Sequence, residues 1–167
     1  MVKNKTMKNL KITLSFLFAI LGIQAAFAQG PLEYCNNRFG FCVEYPGDLH
    51  LAKDRPINGD GITLEAENGA IQLVIAGSHN VMDWTPEKIY SFEKEAFQDK
   101  YQIGTKELKY EADASGFQAI LAAGTDVEAI RMWARNGVYV LISISGPQAK
   151  TPQIESLWNQ IIVKFNS

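Results

Sequence analysis

The chain has 167 residues, with 16 Lys and Arg against 18 Asp and Glu, and 47% of it is hydrophobic. Once the basic leader described next is removed, 12 basic residues face 18 acidic ones, a formal charge of −6. An acidic domain gains nothing from the counterion release that drives nucleic-acid affinity, and anionic lipid does not attract it, so both partner classes are set aside.

Residues 1–28 read as a cleavable export signal. Lys3, Lys5, Lys8 and Lys11 form a basic start without an acid, and Ile12 to Ala26 is apolar except for Thr13, Ser15 and Gln24. Ala26-Phe27-Ala28 then places small residues where a signal peptidase reads them, which sets the expected cut between Ala28 and Gln29. Met7 is an alternative start, because Met7-Lys8-Asn9-Leu10-Lys11 already supplies the basic segment. The apolar stretch is shorter than the ~20 residues a spanning helix needs, and Gly30-Pro31 breaks it. The first cysteine is Cys35, so no cysteine stands at the new N-terminus to be lipidated. Residues 29–167 remain, without repeats, low-complexity tracts or a long linker, and are expected to form one domain in the periplasm or outside the cell.

Cys35 and Cys42 bracket Asn36-Asn37-Arg38-Phe39-Gly40-Phe41. In an exported protein two such cysteines pair as a structural disulfide. The alternatives are free thiols, or redox or metal chemistry, although the usual redox motif has two intervening residues and zinc would find only His50 and His79 as partners. Phe39 to Tyr45 alternates and meets Pro46-Gly47, a strand with its stop signal. After the Asn58-Gly59-Asp60-Gly61 turn, Ile62–Ala66 and Ala70–Ala76 predict a hairpin across Glu67-Asn68-Gly69, with Ile71, Leu73 and Ile75 on one face and Val74 on the other. Thr85-Pro86-Glu87 is an N-cap, a first-turn proline and an early acid, and predicts a helix to about Lys100 with Ile89, Phe92, Ala96 and Phe97 inward. Strands follow at 106–111, 117–123, 126–134 and 138–145, the last two joined at Asn136-Gly137, a pair suited to a type I′ turn. Thr151-Pro152 starts a second helix, and the spacing of Ile154, Leu157, Trp158, Ile161, Ile162 and Phe165 predicts that it runs to Phe165. Strands, helix, strands, helix predict an α+β fold, a mostly antiparallel β-sheet flanked by helices.

With these elements in place, Arg38-Phe39-Gly40-Phe41-Cys42-Val43-Glu44-Tyr45-Pro46 resembles the opening strand of the PsbP-type α/β-sandwich superfamily. That group includes the extrinsic PsbP protein of photosystem II and DcrB-like bacterial envelope proteins. The Asn58–Gly61 turn and the Lys164-Phe165 ending are also similar, and Cys42 stands where the pattern usually carries Ser. The resemblance implies a sheet flanked by helices and a non-catalytic accessory or binding role with an envelope or extracellular protein partner. It carries over no functional residues.

No catalytic signature is present. Neither His50 nor His79 lies in a nucleophile motif, and there is no Gly-x-Ser-x-Gly elbow. Asn58, Asp60, Gly61 and Glu67 approach a calcium loop, but Pro56 occupies the first ligand position and a plain turn is the simpler reading. No phosphate-cradling loop leads into a helix, so no cofactor or metal is expected. Alternation instead places Arg131, Trp133 and Arg135 on one strand face, beside Ile142, Val140 and Val138 across the Asn-Gly turn. Either Trp133 belongs to the core with the Arg stems covering it, or the group presents a surface for a planar or anionic ligand or a partner. The expected protein is therefore a non-enzymatic exported accessory or binding module. An enzyme with an unrecognised site, or a small-ligand carrier with an apolar cavity between helix and sheet, are the alternatives.

Overall fold

A computed structural model describes residues 30–53 and 58–166. The expected signal, its Ala28/Gln29 cut and Pro56 lie outside the described residues. In chain order the elements are β1 (Leu32–Asn36), β2 (Phe41–Tyr45), β3 (His50–Leu51), β4 (Gly61–Ala66), β5 (Ile71–His79) and α1 (Pro86–Tyr101). They continue with β6 (Thr105–Asp113), β7 (Gly116–Ala123), β8 (Asp126–Arg135), β9 (Val138–Pro147), α2 (Thr151–Trp158) and β10 (Ile162–Phe165). Two antiparallel sheets form, one of three strands ordered β1-β2-β10 and one of seven ordered β3-β4-β5-β9-β8-β7-β6.

The seven-stranded sheet is apolar on both faces over its centre, because β8 and β9 alternate between two different packing partners. Val127 and Ala129 of β8 join Val140, Ile142 and Ile144 of β9, Leu73 and Ile75 of β5, Phe41 and Val43 of the small sheet, and Ile154 and Leu157 of α2 in one core. Ile130 and Met132, one residue out of phase, join Phe117, Ala119 and Leu121 of β7 and Ile89, Tyr90 and Phe97 of α1 in the other. The period of two along a strand thus supplies two layers from one segment.

Local chemistry sets the turns. The Thr85 side chain accepts from the Lys88 amide at 3.4 Å, Pro86 opens α1, and Gln102 closes it in the left-handed region at φ 50°. Asn136 and Gly137 both take positive φ, 53° and 73°, as a type I′ hairpin requires. Asn36, 5% exposed, is the one buried polar residue among those described; its amide nitrogen donates to the Gly59 carbonyl and the Tyr34 hydroxyl, each at 3.0 Å, and its oxygen accepts from the Arg38 amide. Arg38 also reaches Asp60 at 2.5 Å. Two of the three segments that carry the family resemblance, 38–46 and 58–61, are therefore bonded to one another. Gly77 is required beside them, since a Cβ there would lie 2.6 Å from the rings of both Phe39 and Phe41.

Several expectations are corrected. The second helix stops at Trp158, and Ile162–Phe165 is instead β10, pairing with β2 in the register Ile162 to Glu44 and Phe165 to Phe41. The β-branched run Ile161-Ile162-Val163 accounts for the change, because it fits a strand better than a helix, and Ile162 is 51% exposed rather than inward. Phe92 likewise points outward, 54% exposed, and packs sideways against Trp84. Strand β1 lies before the first predicted strand, and Phe39-Gly40 belong to the turn rather than to β2.

Candidate binding groove

Cys35 and Cys42 face each other directly across β1 and β2 and are joined in a disulfide, with Cα atoms 4.0 Å apart. Both sulfurs are consumed in that bond, so the grouping of Glu33 with the two cysteines offers no thiolate to a metal. The calcium-loop reading also fails on geometry. Asp60 is occupied by Arg38 and Asn58, and Glu67 pairs with Lys150 at 2.6 Å. The two acids flank opposite ends of β4, about 23 Å apart at ~3.3 Å per residue. The two histidines do not meet either. His50 is opposite Glu65, which is opposite Gln72, whereas His79 lies seven residues further along β5, about 23 Å away. The His79 ring packs on Phe39 at 5.0 Å.

The Arg131 group comes together as alternation predicts. Arg131 is opposite Ile142, Trp133 opposite Val140 and Arg135 opposite Val138. The Arg131 guanidinium carbon lies 4.5 Å from the centre of the Trp133 ring, while Arg135 stays exposed and makes no such contact. Trp133 is half-buried against the core shared by the two sheets, so it has both proposed characters: one side packs inward and the other carries a cation.

Beyond the edge of α2 the same face of the sheet is open. Strand register sets two rows of side chains there, Glu111-Gln118-Arg131 and Lys109-Ile120-Ala129. Glu155, Trp158 and Asn159 at the end of α2 face these rows across a cavity of about 290 Å³. A second cavity of about 170 Å³ continues along Glu111, Ser115 and Gly116 to Trp133, and Arg131 and Gln118 line both. Three of the neighbouring groups are engaged with one another: Gln118 donates to Glu111, and Lys109 lies 3.5 Å from Glu111. Arg131 has no ion-pair or hydrogen-bond partner among the described residues. Burial pulls its guanidinium below its ordinary pKa, yet an arginine stays charged. The result is a half-buried cation over an indole ring, without an ion-pair partner among the described residues, at the junction of two cavities.

Gln118, Trp158 and Glu155 were not singled out from sequence. Gln118 carried a signal, being the only polar side chain in the buried strand Gly116–Ala123. Trp158 had none of its own, because a tryptophan on the apolar stripe of an amphipathic helix reads as core, and it does pack against that core.

An α+β sandwich of antiparallel sheets, with one helix over each face of the larger sheet, is the class this architecture defines. Within that class the fold is PsbP-like. The solution structure of cyanobacterial PsbP (CyanoP) from Synechocystis sp. PCC 6803 matches with a TM-score of 0.58 at 11% identity, over 84% of this chain and 96% of that one. A crystal structure from Bacteroides thetaiotaomicron matches with a TM-score of 0.47 at 12% identity, over 79% of this chain and 48% of that one. No family pattern and no curated protein matches the sequence. Among the described residues, no helix is long and apolar enough to cross a membrane.

Proposed function

We propose that residues 29–167 form an exported, non-enzymatic binding module of the bacterial envelope, freed from its signal between Ala28 and Gln29, which engages its partner through the Arg131 groove. The observation that carries this reading is Arg131 itself. Leaving a half-buried guanidinium without a counter-charge costs stability, and an external anionic group repays that cost on binding. The disulfide supports an oxidising compartment, and the PsbP-like fold supports an accessory rather than a catalytic role by analogy of fold alone. The groove is open and lined by charged groups, unlike the closed apolar cavity a small-ligand carrier needs.

Site-specific cross-linking in producing cells tests the proposal. A photo-reactive residue at Asn159 is expected to trap a discrete adduct that disappears when Arg131→Gln is added. The same residue at Val81, exposed next to α1 on the other sheet face, is expected to trap none. Adducts that ignore Arg131→Gln would sink the binding role, and an N-terminus other than Gln29 on the exported protein would sink the assigned cut.

A further inference from the structure

Resting on that reading of the groove, we infer that it accepts a monocarboxylate carried on a small planar or apolar body. Three features of the site point to this ligand rather than to another anion.

The first is the shape of the cation. The Arg131 guanidinium, its carbon 4.5 Å from the centre of the Trp133 ring, is a planar fork of N–H groups that matches the two oxygens of a carboxylate. The second is the local charge. Around the two cavities Arg131 and Lys109 stand against Glu111, Asp113 and Glu155, with Lys109 beside Glu111 and Asp113 accepting from Ser115. Arg131 is the one unengaged cation among these groups, so the site has a partner for a single negative charge and no more. A phosphate dianion meets three carboxylates and, among the described residues, no second free cation. The third is size and lining. About 290 Å³ sits at the lower end of ligand sites, enough for one ring or one side chain. Trp158, Ile120 and Ala129 supply the apolar contact for such a body.

This chemistry has two sources, a free aromatic acid and the C-terminal residue of a peptide, and one titration series separates them. The probes are benzoate, a tripeptide ending in Phe with a free carboxylate, the same tripeptide amidated, and inorganic phosphate. The indole N–H signals of Trp133 and Trp158 in a nitrogen-15 spectrum report occupancy. Saturable shifts with one or both carboxylates are expected, with a Kd in the millimolar range, and none with the amide or phosphate. Arg131→Gln is expected to weaken binding about tenfold or more, and Arg131→Lys to recover only part of it, since the charge remains and the fork is lost. Glu155→Gln keeps Arg131 in place and is expected to tighten binding two- to threefold by removing a like charge, about 0.5 kcal/mol; it decides the matter if Arg131→Gln does not fold. Benzoate alone binding assigns a free acid, and the peptide alone assigns a chain terminus. Equal binding of amide and acid, stronger binding of phosphate, or no effect of either variant would overturn the inference. If the probes fail while the Asn159 cross-link persists, the ligand class is wrong and the binding role stands.

Discussion

Glu93 is expected to make this protein less stable as pH rises from about 4.5 to about 7. It lies on the inward side of α1, in step with Ile89 and Phe97, and faces Glu128 of β8, which Lys100 approaches at 3.7 Å. Burial first, and the Glu128 charge second, push the Glu93 carboxyl from its ordinary 4.5 up to about 7. In the folded protein it keeps its proton to about pH 7, whereas in the unfolded chain it loses it near 4.5. Between those values the folded state binds more protons, so stability is complete below about pH 4.5 and declines until about pH 7. The gap corresponds to about 3 kcal/mol, and solvent reaching the half-buried side chain lowers the expectation to about 2 kcal/mol. Glu93→Gln replaces the acid with a neutral group of nearly the same shape. In urea denaturation the variant and parent are expected to agree at pH 4.5, and the variant to lead by about 2 kcal/mol at pH 8. Taking the difference between the two removes whatever pH dependence they share. Parallel curves from pH 4.5 to 8 would refute the assignment.

Three further outcomes follow from the packing. Gly77→Ala drives a methyl into the rings of Phe39 and Phe41 and is expected to cost about 1–3 kcal/mol in the same assay, with no change in the slope against denaturant. The double variant Cys35→Ser/Cys42→Ser opens the short loop between β1 and β2 and is expected to lower stability by about 2–3 kcal/mol; a chemically reduced parent should match it. Trp133→Ala removes a half-buried ring and is expected to cost about 2 kcal/mol, less than the 3–5 kcal/mol of a fully buried aromatic. A cost near zero would make Trp133 a pure surface contact.

Most of the fold could be read from local chemistry. The β4–β5 hairpin, the capped α1, and the β8–β9 hairpin with its register all rest on turn residues or strict alternation, which need no knowledge of distant partners. The end of the chain was misread because Ile154, Leu157, Trp158, Ile161, Ile162 and Phe165 satisfy a helical period over two different structures. What decides between them is β2, an element far away in sequence. Strand β1 escaped notice for a similar reason: Leu32-Glu33-Tyr34-Cys35-Asn36 has no β-branched residue, and the disulfide and the buried Asn36 fix it in place. Of the groove, alternation found Arg131 and Trp133, but the facing wall depends on where α2 ends, and that was the boundary misplaced.

The pairing of β10 with β2 bears on the order in which the molecule can be completed. Lys164 reaches Glu44 across a sequence separation of 120 residues, so the edge strand that finishes the small sheet is synthesised long after the strand it joins. Until then Phe41 and Val43 lack their full cover, and no shorter nascent chain can close the layer over the first core. Contacts of such long range are slow to form, and the unfinished intermediate carries an open strand edge. The second core, built from α1, β7 and β8, contains no residue of β10, so it is the layer holding Phe41 and Val43 that waits for the late strand.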